Sequence, residues 1–257
     1  MPATDLPLLL DAAQEAGDIA LGYFKADPQV WDKDDEQGPV TEADLAVNAM
    51  LTDRLRGARP AYGWLSEESP DDPARLTTQR QFIVDPIDGT RAFINHSRDW
   101  AHALAVVEQG RVICGVVALP ARGLTFAATQ GGGATLNGQP LRVTDITTLA
   151  EAHVLTTKPN LAPQHWIGGA APAFSKGFRS SLAYRLCLVA EGRFDAMLTL
   201  RPSWEWDIAA GALIVEEAFG TATDRRGKPL QFNNPHPQVD GVLAAGPVHA
   251  ALHAALI

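Results

Sequence analysis

Four short apolar segments in the first half of the chain constrain its fold more than any other feature. They are residues 81–84, 102–108, 111–119 and 124–129. Turn-forming residues separate the last three segments from one another. Short apolar segments with such breaks are typical of neighbouring antiparallel strands. The sequence therefore predicts an antiparallel sheet here, and the glycine-rich residues 131–143 add a hairpin region to it.

Two segments before these strands have the apolar spacing of amphipathic helices, residues 6–25 and 41–56. Thr41 is a suitable N-cap for the second helix, and Asp44 three residues later completes a variant of the capping box. The connecting residues 25–40 are polar and rich in turn-forming residues. They predict an exposed hairpin or loop.

The second half of the chain alternates between strand-like and helix-like segments. Strands are predicted at 153–157, 194–200 and 241–246, and helices at 181–192, 207–220 and 247–256. The predicted fold class is therefore α/β (α+β), as a single domain over residues 1–257. We expect an N-terminal antiparallel-sheet lobe over about residues 1–145 and a C-terminal mixed α/β lobe over 146–257.

Composition and charge exclude several classes of protein. The net charge of −9 and the pI of about 5.2 argue against a general nucleic-acid-binding surface. No apolar run approaches the length of a membrane span, and the N-terminus lacks the basic start of a signal peptide. Cys114 and Cys187 lie in apolar surroundings, as expected for buried free thiols. We therefore expect a cytoplasmic protein.

The stretch Phe82 to Ile94, F-I-V-D-P-I-D-G-T-R-A-F-I, brings two aspartates to the end of an apolar strand. We expect the strand to end at Val84, because Pro86 has no N–H to donate to a sheet. Asp85 and Asp88 then lie three residues apart at a corner, where they can converge on a hard cation such as Mg²⁺.

Gly89 permits an unusual backbone angle, and Thr90 is expected to start a short helix whose first N–H groups can meet a phosphate. The alternative reading of the same residues is an Asx-turn, because Asp-Pro and Asp-Gly are both common turn pairs.

Two further acidic sequences have both structural and functional readings. Ser66-Glu67-Glu68-Ser69 places adjacent carboxylates after an apolar segment, either as a solvated loop or beside a compensating positive charge. Trp204-Glu205-Trp206-Asp207 precedes an apolar helix, for which Asp207 is a good N-cap. An N-cap aspartate can also turn an oxygen towards a metal.

The motifs S-E-E-S, D-P-I-D-G-T and W-D-I-A-A-G, in this order, resemble those of the inositol monophosphatase family of Mg²⁺-dependent, lithium-sensitive phosphatases. V-T-E-A-D (40–44) and N-G-Q-P-L-R-V (137–143) are similar to further elements of that family, so the resemblance covers nearly the whole chain. It implies a layered αβαβα sugar-phosphatase fold. It also implies a metal-dependent phosphoric monoester hydrolase that uses two or three Mg²⁺ ions.

Carried over by motif, the implied metal ligands are Glu67, Asp85, the backbone carbonyl of Ile87, Asp88 and Asp207. The resemblance implies that Glu67 and Thr90 orient the attacking water, and that Asp44 lies near this water or near a weaker third metal. The N–H groups of Gly89 and Thr90 would hold the phosphate. Lys33 falls where some members have a loop lysine. No covalent enzyme intermediate is expected.

The choice of substrate depends on two basic segments. R-A-F-I (91–94) after D-G-T resembles the 3′(2′),5′-bisphosphate nucleotidase branch, and residues 179–192 resemble its S-S-L-basic-x-C-L-V-A-E-G pattern with two extra residues before the basic position. The implied substrate contacts are Gly89, Thr90, Arg91, Ser180, Ser181 and Arg185. The two arginines can equally be surface or ion-pair residues.

We rank adenosine 3′,5′-bisphosphate first as substrate, inositol 1-phosphate second and histidinol phosphate third. The expected partner is a small phosphorylated molecule, with no nucleic-acid polymer. The resemblance is compatible with a homodimer as well as a monomer. An alternative of another class is a non-catalytic relative with a regulatory or interaction role. Such a relative is expected to lack a ligand carboxylate, whereas this chain retains all four.

Overall fold

The computed structural model describes residues 5–32 and 38–257, so Lys33 lies outside the described residues. The helices in this part of the chain are α1 (Leu6–Tyr23), α2 (Glu42–Ala58), α3 (Thr90–Ile94), α4 (Leu182–Ala190), α5 (Glu205–Glu217) and α6 (His249–Ala254). A short 3-10 helix, Pro73–Thr77, precedes the fourth strand.

The strands in the described residues are β1 (Val30–Asp32), β2 (Pro39–Thr41), β3 (Gly63–Ser66), β4 (Arg80–Asp88), β5 (Ala101–Glu108), β6 (Arg111–Leu119), β7 (Leu124–Thr129), β8 (Gly133–Leu136), β9 (Gln139–Pro140), β10 (His153–Leu155), β11 (Ser175–Gly177), β12 (Ala196–Thr199), β13 (Ser203–Trp204), β14 (Thr221–Thr223), β15 (Gln238–Val239) and β16 (Val242–Ala245). The predicted hairpin between the first two helices is confirmed, because exposed β1 pairs antiparallel with β2.

Two large sheets dominate the described part of the chain. The first has seven strands in the order β3-β4-β5-β6-β7-β8-β9, and all its neighbouring pairs are antiparallel except β3 and β4. The predicted antiparallel sheet is therefore confirmed, with one parallel pair at this edge. The connection that holds the 3-10 helix crosses back to the starting end, so β4 runs in the same direction as β3.

The second large sheet has five strands in the order β11-β10-β12-β16-β14. Its β10 is parallel to both β11 and β12, whereas β16 is antiparallel to β12 and β14. This confirms the predicted mixed character of the second half. The lobe boundary near residue 145 stays a prediction.

The helices and sheets alternate in layers. Apolar side chains of α1 and α2, such as Leu9 and Leu51, pack with Phe82 and Leu104 on one face of the seven-stranded sheet. Helices α4 and α5 fill the space between the two sheets. Helix α6 packs through Leu252 on the outer face of the five-stranded sheet. This order confirms the predicted αβαβα architecture.

Helix α5 lies close against the seven-stranded sheet because Gly115 of β6 has no side chain. A Cβ atom at this position would lie 3.0 Å from the Cα atom of Ala210. The contact fixes the helix that carries Asp207 against the sheet that carries Asp85. Among the described residues, no helix combines the length and the apolar character needed to cross a membrane.

Candidate active site

Strand β4 continues past its predicted end and carries both aspartates of the D-P-I-D-G-T motif. Asp85 pairs with Ala103 and Asp88 with Ala101, so β4 contains one more residue than β5 between these pairs. The prediction that the strand ends at Val84 was therefore wrong. A β-bulge accommodates Pro86, which cannot donate a ladder hydrogen bond, and the pairing resumes at Asp88.

His102 of β5 supports this bulge, and its role was not recognised in the sequence. Its Nδ1 atom is hydrogen-bonded to the carbonyl oxygen of Pro86. The side chain is fully buried, and burial lowers its pKa to about 4. The imidazole is therefore neutral near pH 7, and Nδ1 is the protonated nitrogen that donates to the carbonyl. The histidines lack metal-ligand spacing along the chain, so only the strand pairing reveals this contact.

Asp207 reaches the same place from the first turn of α5. The helix begins at Glu205, with Trp204 as its N-cap residue, so the prediction of Asp207 as N-cap was wrong. The Trp204 side chain makes no capping hydrogen bond, and the strand β13 that ends there pairs with β15. Pairing by β13 thus sets the start of the helix two residues earlier than the predicted cap.

Asp85, Asp88 and Asp207 form a group that we call the carboxylate cluster. One carboxylate oxygen from each residue lies within 4.8 Å of the others. Neither oxygen of Asp85 has a hydrogen-bond partner among the described residues, although both oxygens are buried. A buried carboxylate without donors is costly unless a cation compensates it. The donor set therefore fits a hard divalent cation, which prefers oxygen ligands.

The electrostatics of the carboxylate cluster point the same way. Burial raises the pKa of Asp85 well above its ordinary value, and the charges of Glu67, Asp88 and Asp207 raise it further. Burial and the charges of Asp88 and Glu67 likewise raise the pKa of Asp207. Burial raises the pKa of Asp88 to about 6. Neighbouring carboxylates with raised pKa values are typical of sites where a bound cation compensates their charge.

Asp88 is also hydrogen-bonded to the start of α4 in the second half of the chain. Its Oδ2 atom accepts hydrogen bonds from Ser181 Oγ at 2.7 Å and from the Ala183 N–H at 2.6 Å. Ser181 is the N-cap of α4, and its Oγ accepts the Tyr184 N–H at 2.9 Å. The Ser181 side chain, assigned from the sequence to substrate contact, is therefore fully buried and engaged with Asp88. Ser180 before it is exposed.

Glu67 follows the end of β3 and is half-buried. Its N–H donates to the carbonyl oxygen of Val84 at 3.2 Å, which places the residue beside the end of β4. Its charge raises the pKa values of the three cluster aspartates and of Asp44. Glu67 is outside the group whose ligand atoms converge within 4.8 Å, so it borders the carboxylate cluster.

Asp44 and Thr90 lie together next to these residues. Thr90 Oγ1 donates to Asp44 Oδ1 at a distance of 3.2 Å and lies 3.2 Å from the Ile87 carbonyl oxygen. The predicted capping box of α2 is confirmed, because Asp44 Oδ2 accepts the Thr41 N–H at 2.9 Å. Burial and then the charge of Glu67 raise the pKa of Asp44 to about 6. One aspartate thus caps α2 and contacts Thr90.

Gly89 makes the turn into α3, the short helix that was predicted to begin at Thr90. Its φ of +101° is in the region that favours glycine, and a Cβ atom would lie 3.1 Å from the Asp99 carbonyl oxygen. The turn places the N–H groups of Gly89 and Thr90 at the start of the helix, where helical N–H groups have no intrahelical partner.

Arg185 and Arg91 have different environments. Arg185 is buried, its Nε donates to the Arg179 carbonyl oxygen at 2.6 Å, and its Cζ lies 4.7 Å from the Phe178 ring centroid. Its charge opposes the rise in the Asp88 pKa. Arg91 is exposed on α3. Arg185 therefore lies by the carboxylate cluster in an interior position, whereas Arg91 lies at the surface.

Phe178 also lines a cavity of about 960 Å³. Its lining includes Thr157 and Lys158, which follow β10, and Lys176 and Gly177 of β11. Both lysines are exposed. We call this space the lysine cavity. It lies at the carboxyl ends of two parallel strands, a common location for ligands in α/β folds.

Comparison with known proteins agrees with this geometry. A family model described as "Inositol monophosphatase family" matches residues 3–257. The Thermotoga maritima IMPase structure superposes with a TM-score of 0.82 and 28% identity, and the match covers 99% of this chain and 96% of that chain. The likeness thus extends over the whole fold.

Three curated relatives have similar identities and different names. The inositol-1-monophosphatase of Rhizobium meliloti is 35% identical, covering 75% of each chain. The histidinol-phosphatase of Chlorobaculum parvum is 34% identical, covering 87% of each. The 3′(2′),5′-bisphosphate nucleotidase CysQ of Aggregatibacter actinomycetemcomitans is 32% identical, covering 91% of this chain and 90% of its own.

The three names describe phosphate removal from different substrates, so they agree on the reaction and differ on the leaving group. The chain therefore belongs to the inositol monophosphatase family, and it is a phosphomonoesterase of that family.

Proposed function

We propose that the chain is a Mg²⁺-dependent 3′(2′),5′-bisphosphate nucleotidase that removes the 3′-phosphate of adenosine 3′,5′-bisphosphate. The observation that carries the choice of substrate is the lysine cavity beside Arg185. Lys158 and Lys176 line it together with Phe178, whose ring contacts the Arg185 guanidinium. A substrate with a second phosphate would pair with these cations, whereas inositol 1-phosphate or histidinol phosphate offers only the phosphate that is removed.

The carboxylate cluster would hold the metal, together with Glu67 and the backbone carbonyl of Ile87. The partnerless oxygens of Asp85 support this assignment. Divalent cations bound in such sites neutralise the phosphate, lower the pKa of water and stabilise the leaving oxygen. Two or three Mg²⁺ ions remain our proposal for their number.

The chain's own residues would position the reactants. Thr90 Oγ1, held by Asp44 and close to the Ile87 carbonyl, would orient the attacking water together with Glu67. The N–H groups of Gly89 and Thr90 would donate to the phosphate oxygens. Ser180, exposed before α4, and Arg91 on α3 would contact the rest of the substrate. Ser181 would act through its hydrogen bond to Asp88.

A substrate panel tests this proposal. We expect kcat/KM for adenosine 3′,5′-bisphosphate to exceed those for inositol 1-phosphate and histidinol phosphate by at least about tenfold, the effect of one charged contact. Release of the 3′-phosphate would be followed by detecting adenosine 5′-monophosphate. A higher kcat/KM for either single phosphate would replace the nucleotidase by the corresponding phosphatase. The cytoplasmic location and a homodimer stay predictions.

A further inference from the structure

A buried arginine on the connection between β3 and β4 has no role in the chemistry above. Arg75, in the 3-10 helix Pro73–Thr77, is only 2% exposed. Its Nε and Nη2 donate to the two carboxylate oxygens of Asp71 at 2.6 and 2.9 Å. Its Nη1 donates to Asn233 Oδ1 at 2.7 Å, and Nη2 also donates to the Asn234 carbonyl oxygen at 2.9 Å. The guanidinium thus joins two segments distant in sequence.

The same asparagine segment is held on its other side by Glu205. This glutamate is fully buried and accepts the Asn233 N–H at 2.6 Å, the Asn234 N–H at 2.9 Å and Asn234 Nδ2 at 2.7 Å. Asn233 has a φ of +61°, a conformation that asparagine adopts more readily than most residues. Asp71, Arg75, the asparagine pair and Glu205 therefore form one continuous network, which we call the arginine network.

The arginine network connects two segments that border or supply the carboxylate cluster. Asp71 and Arg75 follow Glu67 on the same connection between β3 and β4, and Glu205 precedes Asp207 in the first turn of α5. Carboxylates of like charge repel one another, so contacts outside the cluster must impose their spacing. Hydrogen bonds to charged groups in a buried place are strong enough to do so.

We propose that the arginine network is a positioning device that holds the Glu67 segment and the first turn of α5 at the spacing that the metal requires. This inference rests on the metal site of the proposed function. Partners outside the ligand shell typically change metal affinity by about 10- to 100-fold when they are mutated. Glu205 and Arg75 are therefore positioning residues that act through Glu67 and Asp207.

Glu205→Gln tests the proposal, because it keeps the shape and replaces one acceptor oxygen by an NH₂ group that faces N–H donors. Mn²⁺ titration of the metal-free protein, followed by electron paramagnetic resonance, should show about 10- to 100-fold weaker binding. The Mg²⁺ concentration for half-maximal activity should rise by a similar factor, and saturating Mg²⁺ should restore most of kcat. If Glu205 only stabilises the fold, Glu205→Gln should lower the melting temperature and leave the Mn²⁺ affinity unchanged.

Glu217→Gln is the matched control. Glu217 lies at the other end of α5, and its two oxygens accept the Gly131 and Gly133 N–H groups at 2.8 Å each. The same substitution there should leave Mn²⁺ binding unchanged. Equal Mn²⁺ affinities in wild type and Glu205→Gln, or equal losses in the two glutamine variants, would overturn the proposal.

Arg75→Lys is a second variant that keeps the charge and removes the forked geometry, so it should also weaken Mn²⁺ binding. If Glu205→Gln does not fold, Arg75→Lys is the deciding variant. Unchanged Mn²⁺ binding by Arg75→Lys would then contradict the proposed role of the arginine network. Asp207→Asn distinguishes a failure of the proposed metal site from a failure of the arginine network. If Asp207→Asn leaves Mn²⁺ binding intact, the proposed metal site itself fails. If only Asp207→Asn weakens binding, the metal site stands and the network proposal fails.

Discussion

The carboxylate cluster and the lysine cavity differ in burial and in the charge of their side chains. The cluster has two buried aspartates and the half-buried Asp207, carries one sign of charge and lies on a strand bulge and the first turn of a helix. The cavity is open, carries the other sign of charge and lies at strand ends. A cation held by carboxylates can bind the reactive phosphate of any phosphate ester. A cavity lined by lysines instead favours substrates that carry a second anionic group. Under the proposed function, the reaction and the choice of substrate are therefore assigned to separate groups of residues.

The strongest test of this separation is Asp88→Asn. We expect kcat/KM to fall by more than about 100-fold for every phosphate ester, because even partners outside a metal's ligand shell cost about 10- to 100-fold. The fold should persist, since Asn Oδ1 can still accept the Ser181 and Ala183 hydrogen bonds. Steady-state kinetics and circular dichroism would measure the two effects.

Asp195→Asn is the control for Asp88→Asn. Asp195 is a buried carboxylate that accepts Thr144 Oγ1 and the His153 N–H at 2.7 Å each, outside the cluster. Its variant should lose stability and keep kcat in the folded fraction. Substantial turnover by Asp88→Asn would contradict the metal assignment.

A smaller effect, confined to one substrate, is expected from the lysine cavity. Replacing Lys158 and Lys176 by alanine should raise KM for adenosine 3′,5′-bisphosphate by about tenfold, the equivalent of ~1.4 kcal/mol. The KM for inositol 1-phosphate should not change, because it has no second phosphate. Lys228→Ala, at an exposed turn, is the matched control. Equal effects on both substrates would mean that the cavity does not select the second anion.

The smallest expected effect is on the pH dependence of stability without metal. Burial and then the charge of Glu67 raise the pKa of Asp88 to about 6 in the fold, while its hydrogen bonds and the charge of Arg185 oppose the rise. A raised pKa means that the folded state binds more protons than the unfolded state between about pH 4 and 6. The resulting stabilisation is present at low pH and is lost as the pH rises through 6.

Thermal unfolding of chelated protein would measure this loss. The melting temperature of Asp88→Asn, measured relative to that of wild type, should increase from pH 5 to pH 7.5. The substitution removes a negative charge from the cluster that also contains Asp85 and Asp207. Added Mg²⁺ should reverse the order at pH 7.5. A difference in melting temperature that does not vary with pH would show that repulsion within the cluster is negligible.

Local patterns predicted much of this structure. Strand β7 has its predicted bounds of 124–129, and the Thr41–Asp44 capping box is present. Both depend on neighbours within a few residues, so the necessary information is local. The motif resemblance also identified the family, because three acidic motifs in fixed order are more specific than any single one.

Features that depend on distant partners were not predictable in this way. Pairing with β5 carries β4 through Pro86 as a bulge, and pairing with β15 begins α5 at Glu205. The contact of His102 with Pro86 and that of Arg75 with Asn233 join residues far apart in the chain. No periodicity or spacing marks such contacts. The roles of the individual site residues stay predictions for the same reason.

The double use of Asp88 has a mechanical consequence. One of its oxygens is bonded to the first turn of α4, where Ser181 and Ala183 donate to it. The next turn of that helix carries Arg185, whose guanidinium rests on the wall of the lysine cavity. A shift of α4 would therefore also move the donors that hold one carboxylate of the cluster. If the cavity holds the second phosphate as proposed, α4 is the element that would connect it to Asp88.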